Sequence, residues 1–134
     1  MAAFGSIFLP EMAITWFDGT GWQAEKTQPS DQLVLHPGAH VLHYSSTCFE
    51  GLKAFRHADG SVKVFRIDQN LARLQQSSQL LHLPELDLVQ AKRMIINLVR
   101  SYADEVPQPP SSLYIRPTHL GTEPIIGKAA APSV

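Results

Sequence analysis

Apolar and polar positions change period near the middle of the chain. Up to about residue 66 they alternate in short runs punctuated by Gly, Pro and Asp; from about 68 they recur every three or four residues, until prolines at 107, 109 and 110 end the pattern. The first half therefore predicts strands. Ile14-Thr15-Trp16-Phe17 and the residues through Gln23 flank Asp18-Gly19, which predicts strand, turn, strand. After a polar stretch through Pro29, Gln32 to Leu35 reads as a short strand, His36-Pro37-Gly38 as a loop, and His40 to Tyr44 as extended chain. A second hairpin pairs Leu52 to His57 with Ser61 to Phe65 across Ala58-Asp59-Gly60, where the glycine supplies the positive φ of a three-residue loop.

The second half predicts two main helices. Asp68 is a candidate N-cap ahead of Leu71, Leu74, Ser78 and Leu81, with Pro84 as the stop. Asp87, spaced as a capping box with Gln90, opens a helix carrying Leu88, Ala91, Ile95, Leu98 and Tyr102 on one stripe. Pro107-Gln108-Pro109-Pro110 suits neither helix nor ladder, and Ser112 to Arg116 alternates as a strand. The expectation is an α+β domain: strands in one antiparallel sheet, packed with two helices. Ala129 to Val134 lacks capping or turn chemistry and reads as the start of an interdomain connection.

At 134 residues and 44% hydrophobic content the chain has enough for one core and too little for two ordinary ones. Its net charge of −1, with both signs dispersed, leaves no basic stripe for a nucleic-acid backbone. No run approaches the roughly 20 apolar residues of a membrane helix, and the first residues lack the pattern of a signal peptide. Neither nucleic acid nor membrane is thus an expected partner, and the expected place is the cytoplasm. The lone Cys48 suits a reducing compartment.

Arg73 has Gln69, Asn70, Gln76 and Ser77 as its helical neighbours, none acidic, so no helical ion pair explains it. On a wheel it lies at about 200°, beside an apolar stripe at about 280–360°, where a guanidinium either solvates over the core edge or offers its fork to an anion. Tyr114 and Arg116 share one face of a strand and together could receive a carboxylate; an ordinary exposed strand face is the plainer alternative. The six histidines offer no metal set: Pro37 and Gly38 keep His36 and His40 off a common helix face, and no cysteine or acid completes a site with His43. Nothing near Cys48 in sequence lowers its pKa toward that of a nucleophile.

Three segments, in order, alter these weights: His43 through Phe49-Glu50-Gly51-Leu52-Lys53 to Arg56; Asn70-Leu71-Ala72-Arg73-Leu74; and Leu113-Tyr114-Ile115-Arg116-Pro117-Thr118 running on to Glu123. Together they resemble the N-terminal small domain of branched-chain amino-acid aminotransferases, fold-type IV enzymes that use pyridoxal 5′-phosphate. The resemblance implies an N-terminal domain over residues 1–127 and a linker from 128. It also implies a second domain, absent from this chain, that carries the catalytic lysine; none of Lys26, Lys53, Lys63, Lys92 and Lys128 matches that position, so no catalytic residue is assigned here. It implies that Arg73 holds the cofactor phosphate and that Tyr114 and Arg116 orient the substrate's carboxyl end. Phe4 would lie over the substrate, and Tyr44 and Phe49 would wall an aliphatic pocket, the tyrosine reaching a neighbouring subunit's site in a homodimer. Glu50 and Gly51 read as structural, the acid pairing nearby and the glycine allowing close approach. The implied reaction moves an amino group from leucine, isoleucine or valine to 2-oxoglutarate. A D-amino-acid aminotransferase, an aminodeoxychorismate lyase and a non-catalytic module of the same fold are the alternatives.

Overall fold

The computed structural model describes residues 4–127. The proposed linker from residue 128, with Lys128, lies outside them. The N-terminal strands β1 (Glu11–Ile14) and β2 (Lys26–Pro29) pair antiparallel, and Phe17 bridges Trp22 beyond them. Ile14 faces Lys26, so the step to the Phe17–Trp22 bridge spends one residue more on the returning side, as a bulge requires. Asp18 holds the turn, its Oδ1 accepting from the amides of Thr20 at 2.8 Å and Gly21 at 3.0 Å.

Strands β3 (Thr47–Phe49) and β4 (Leu52–Arg56) run consecutively against β7 (Thr118–Leu120) and β6 (Leu113–Ile115), and β5 (Val62–Val64) closes the outer edge of β4. Phe49 faces Thr118 and Leu52 faces Ile115, with two residues between on either strand, so the register carries straight through the gap. The gap itself follows from Pro117, which has no amide to give; its carbonyl still accepts from Glu50 N at 3.1 Å. The expected single sheet is therefore three small antiparallel sheets, two of them one ribbon interrupted at Glu50–Gly51 and Arg116–Pro117.

Two long helices, α2 (Ile67–Leu80) and α3 (Leu88–Ser101), cover that ribbon. Leu52 and Ala54 of β4 meet Ile67, Leu71 and Leu74 of α2 and Ile95 and Val99 of α3 in one core. Asp87 caps α3, Oδ1 accepting from Gln90 N at 2.9 Å, but only half the capping box forms because the Gln90 side chain turns to the N-terminal hairpin. Helix α2 starts before its expected cap: the chain turns its corner at Arg66, φ 51°, and Asp68 sits inside the first turn, ion-paired to Lys92 at 2.7 Å. A 3-10 turn, Ala103–Glu105, ends the helical half, and Arg56 donates to its Ala103 carbonyl at 2.6 Å.

Two further expectations change. Gln32 to Leu35 is loop, with Val34 81% exposed, whereas the polar stretch before it supplies β2. The ladder stops at Pro29, and Ser30 is instead tied back to the Leu9 and Pro10 carbonyls. His40 to Tyr44 is a short helix, α1, because Gly121 and Glu123 accept from the amides of Val41 and His40 at 2.7 and 3.0 Å, satisfying donors that an isolated turn would strand. Among the described residues no helix is long and apolar enough to cross a membrane.

Candidate active-site face

Alternation along the ribbon sends Cys48, Leu52, Ala54 and His119 toward the helices and sets Phe49, Gly51 and Lys53 opposite Thr118, Arg116 and Tyr114 on the other face. There the sequence candidates converge. Arg116 donates to the Tyr114 hydroxyl from Nη2 at 3.1 Å and Nε at 3.3 Å, and its guanidinium lies 4.2 Å from the Phe49 ring centroid. Phe4 meets the Tyr114 ring edge-on at 5.1 Å. Because the phenol oxygen accepts from Arg116, its own proton is left to donate, beside a cation: the chemistry of a carboxylate receptor. Phe4 and Phe49 remain 78% and 53% exposed, an apolar rim to the site.

Gly51 makes this arrangement possible. A Cβ there would stand 2.5 Å from the Tyr114 oxygen and 3.0–3.1 Å from its ring. The close approach expected of this glycine is thus with a side chain of the candidate site itself.

Arg73 comes to the same peptide from the helix side. Its Nε and Nη2 meet Glu50 Oε1 and Oε2 at 3.1 and 2.8 Å, so the arginine without a helical partner has one 23 residues away. Asn70 Nδ2 donates to Glu50 Oε2 at 2.9 Å and to the Gly51 carbonyl at 3.2 Å. The Arg73 hydrogen bond holds the Glu50 carboxyl below its ordinary range against the opposing effect of burial, and Glu50 in turn raises Arg73. The expected Glu50 pairing is observed, with Arg73 as its partner. Asn70, unremarked as a site residue, had one signal in sequence: it opens the Asn-x-x-Arg-Leu motif.

The structure does not bring Tyr44 into this group. Its hydroxyl donates to the Ile126 carbonyl and its ring lies 4.5 Å from that of His40. Arg73 likewise makes no contact with Tyr114 or Arg116 among the described residues; the Glu50–Gly51 peptide stands between them.

The half-buried Cys48 and the buried Ser78 and His119 form a group that sequence reasoning missed, since its members lie on three elements. Ser78 donates to the Leu74 carbonyl at 2.8 Å and meets His119 Nδ1 at 2.8 Å and Cys48 Sγ at 3.4 Å. With the hydroxyl proton committed to Leu74, Nδ1 is the donor and Nε2 is the bare nitrogen, buried without a partner among the described residues. Burial lowers the His119 pKa to about 4 and raises that of the Cys48 thiol. His36 accepts from Gly38 N and His43 donates to the Pro37 carbonyl, so these rings serve the loop.

No protein-family model matches the chain. It is 40% identical over 126 residues, 92% of its length, to a cytosolic branched-chain-amino-acid aminotransferase of Mus musculus, of which it covers 33%. It is 39% identical over 132 residues, 97% of its length, to branched-chain-amino-acid transaminase 1 of Bacillus subtilis (strain 168), of which it covers 37%. The chain thus spans about a third of the length of these curated relatives. Among solved structures, the branched-chain aminotransferase of Thermoproteus uzoniensis with norvaline superposes with TM-score 0.66 at 20% identity, over 90% of this chain and 38% of that one. The branched-chain amino acid aminotransferase of Thermobaculum terrenum in its PLP-form gives 0.59 at 23%, over 81% and 35%. The resemblance read from the sequence is borne out, as are the α+β class and its kinship in fold to fold-type IV aminotransferases.

Proposed function

We propose that this chain is the small domain of a branched-chain-amino-acid aminotransferase, and that it grips an elongated cofactor–substrate adduct at two ends. The observation that carries the reading is the pairing of two receptors across the Glu50–Gly51 peptide: Arg73 on the helix side, Tyr114 with Arg116 on the outer face. Arg73 fits a phosphate. Its Nη1 has no hydrogen-bond partner among the described residues, and its side chain is 58% exposed. Pyridoxal phosphate, held through its phosphate by Arg73, would supply a carbonyl for the amino group and a ring that acts as an electron sink.

The chain's own residues bind and orient. Arg73 anchors the phosphate; Tyr114 and Arg116 fix a carboxylate through one neutral and one charge-assisted donor; Phe4 and Phe49 exclude water beside an aliphatic side chain. Tyr44, held apart here by Ile126, would complete the pocket of a neighbouring subunit in a homodimer. Proton transfer falls to a lysine of a second domain beyond the linker at 128–134. Leucine, isoleucine or valine would be the amino donors and 2-oxoglutarate the acceptor, in the cytoplasm. The apolar rim around Arg116 supports a branched aliphatic substrate.

The test is Arg73→Ala in the full-length protein. Cofactor remaining after dialysis, read from its absorbance, should fall at least about tenfold below that of an exposed control such as Gln76→Ala, the loss expected when a charge-assisted pair to a phosphate is removed. Equal retention in the two variants would sink the assignment.

A further inference from the structure

Glu50 is fixed more firmly than a surface ion pair requires. Arg73 takes its two oxygens edge-on, Asn70 adds a third donor, and that Asn70 is itself buried and bonded to the next carbonyl along, Gly51 O. Asn70 and Arg73 are three residues apart on α2, so anchor and arginine are carried by a single helical turn. The pair is also asymmetric: the Glu50 side chain is 14% exposed and that of Arg73 58%. An anion approaching from solvent meets the base and not the acid. Because the bidentate contact uses Nε and Nη2, it sets the plane of the guanidinium and leaves the Nη1 end of the fork directed away from Glu50.

We propose that Glu50 is a positioning residue: held by Asn70, it presents the free edge of Arg73 to the cofactor's phosphate. This rests on the phosphate role given to Arg73 above. A long side chain with several rotatable bonds would otherwise lose its freedom on binding; with Glu50 in place that ordering is done before the ligand arrives. The carboxylate also repels phosphate, and its shielded position keeps that opposing effect small.

The experiment compares the dissociation constants of pyridoxal 5′-phosphate and of pyridoxal, which lacks the phosphate, on the full-length apoprotein by fluorescence titration. The pyridoxal constant divided by the pyridoxal 5′-phosphate constant isolates the phosphate contact, and a general loss of folding would move both constants together. Glu50→Ala should reduce the ratio by about tenfold, as loss of an orienting partner behind a binding group does, with pyridoxal binding unchanged. Arg73→Ala should abolish the preference, and Glu50→Ala on top of Arg73→Ala should cost nothing more. A wild-type or larger ratio in Glu50→Ala, or additive losses in the double variant, overturns the positioning role. A ratio that survives Arg73→Ala overturns instead the phosphate assignment beneath it. If Glu50→Ala does not fold, Glu50→Gln keeps the shape but offers the fork one acceptor in place of two; its ratio must fall likewise, and a wild-type ratio there is equally fatal.

Discussion

Gly51 leaves no room for a side chain, and what fills its space is Tyr114. A methyl group at 2.5 Å from the phenol oxygen would push that ring off the ribbon, and with it the hydrogen bonds from Arg116. Since Tyr114 is the far end of a side chain and not backbone, the ring yields and the strands hold. Gly51→Ala should therefore cost about 1–3 kcal/mol or less in stability, while raising KM for both amino-acid and 2-oxo-acid substrates and sparing the affinity for pyridoxal phosphate. On the proposed function, steady-state kinetics beside a cofactor titration separate the two effects; unchanged KM values would show that the phenol's place is immaterial. The Tyr114–Arg116 relation was legible from a two-residue spacing, which strand geometry turns into a shared face. The partner of Arg73 was not, because Glu50 lies 23 residues upstream and no local period connects them.

Between elements, β7 is joined to α2 by His119 and Ser78, with the Trp22 ring 5.5 Å from the imidazole. The ring is 3% exposed and its bare Nε2 faces no acid, so protonation would place an uncompensated cation in the core. Its pKa is lowered from 6.5 to about 4. The unfolded chain therefore binds this proton first as the pH falls. Above 6.5 the neutral ring costs nothing, and between 6.5 and about 4 the fold loses stability progressively, by about 3 kcal/mol in all. An NMR titration of the His119 ring protons should find a midpoint near 4 in the folded protein; a midpoint near 6.5 would mean that the joint admits water. The helices on one side of this joint were readable in advance because their 3.6-residue period and the Asp87 cap are local. The short helix α1 was not: its first donors are satisfied by Gly121 and Glu123, some eighty residues on. The break of the ribbon into two sheets depended on Pro117, a single missing amide whose effect emerges only when β3 and β7 are already paired.

Across the whole molecule, polar groups of α3 and of Tyr102 at its C-terminal end tie the N-terminal hairpin to the helical half. Gln90, 6% exposed, donates from Nε2 to the Gln23 carbonyl at 2.7 Å and to Glu25 at 3.1 Å. Arg93 closes on Glu25 at 2.5 Å, and Tyr102 donates to Glu11 at 2.8 Å. Arg93, helped by Gln90, lowers the Glu25 carboxyl to about 2, so this contact stays charged well into acid. Of the three, Gln90 is the buried member, and an amide removed from a buried site costs more than an exposed ion pair. Gln90→Ala should destabilise hairpin docking by about 1–3 kcal/mol, whereas Arg93→Ala, which removes a solvent-screened ion pair, should cost less. Hydrogen exchange of the β1 and β2 amides in the full-length protein checks this, because local opening of the hairpin would speed those amides while the α2 and β4 core keeps its protection. Equal acceleration in both places would mean that hairpin and core unfold as one unit, and that Phe4, reached through the hairpin's leading segment, is held over Tyr114 by the global fold and not by this polar seam.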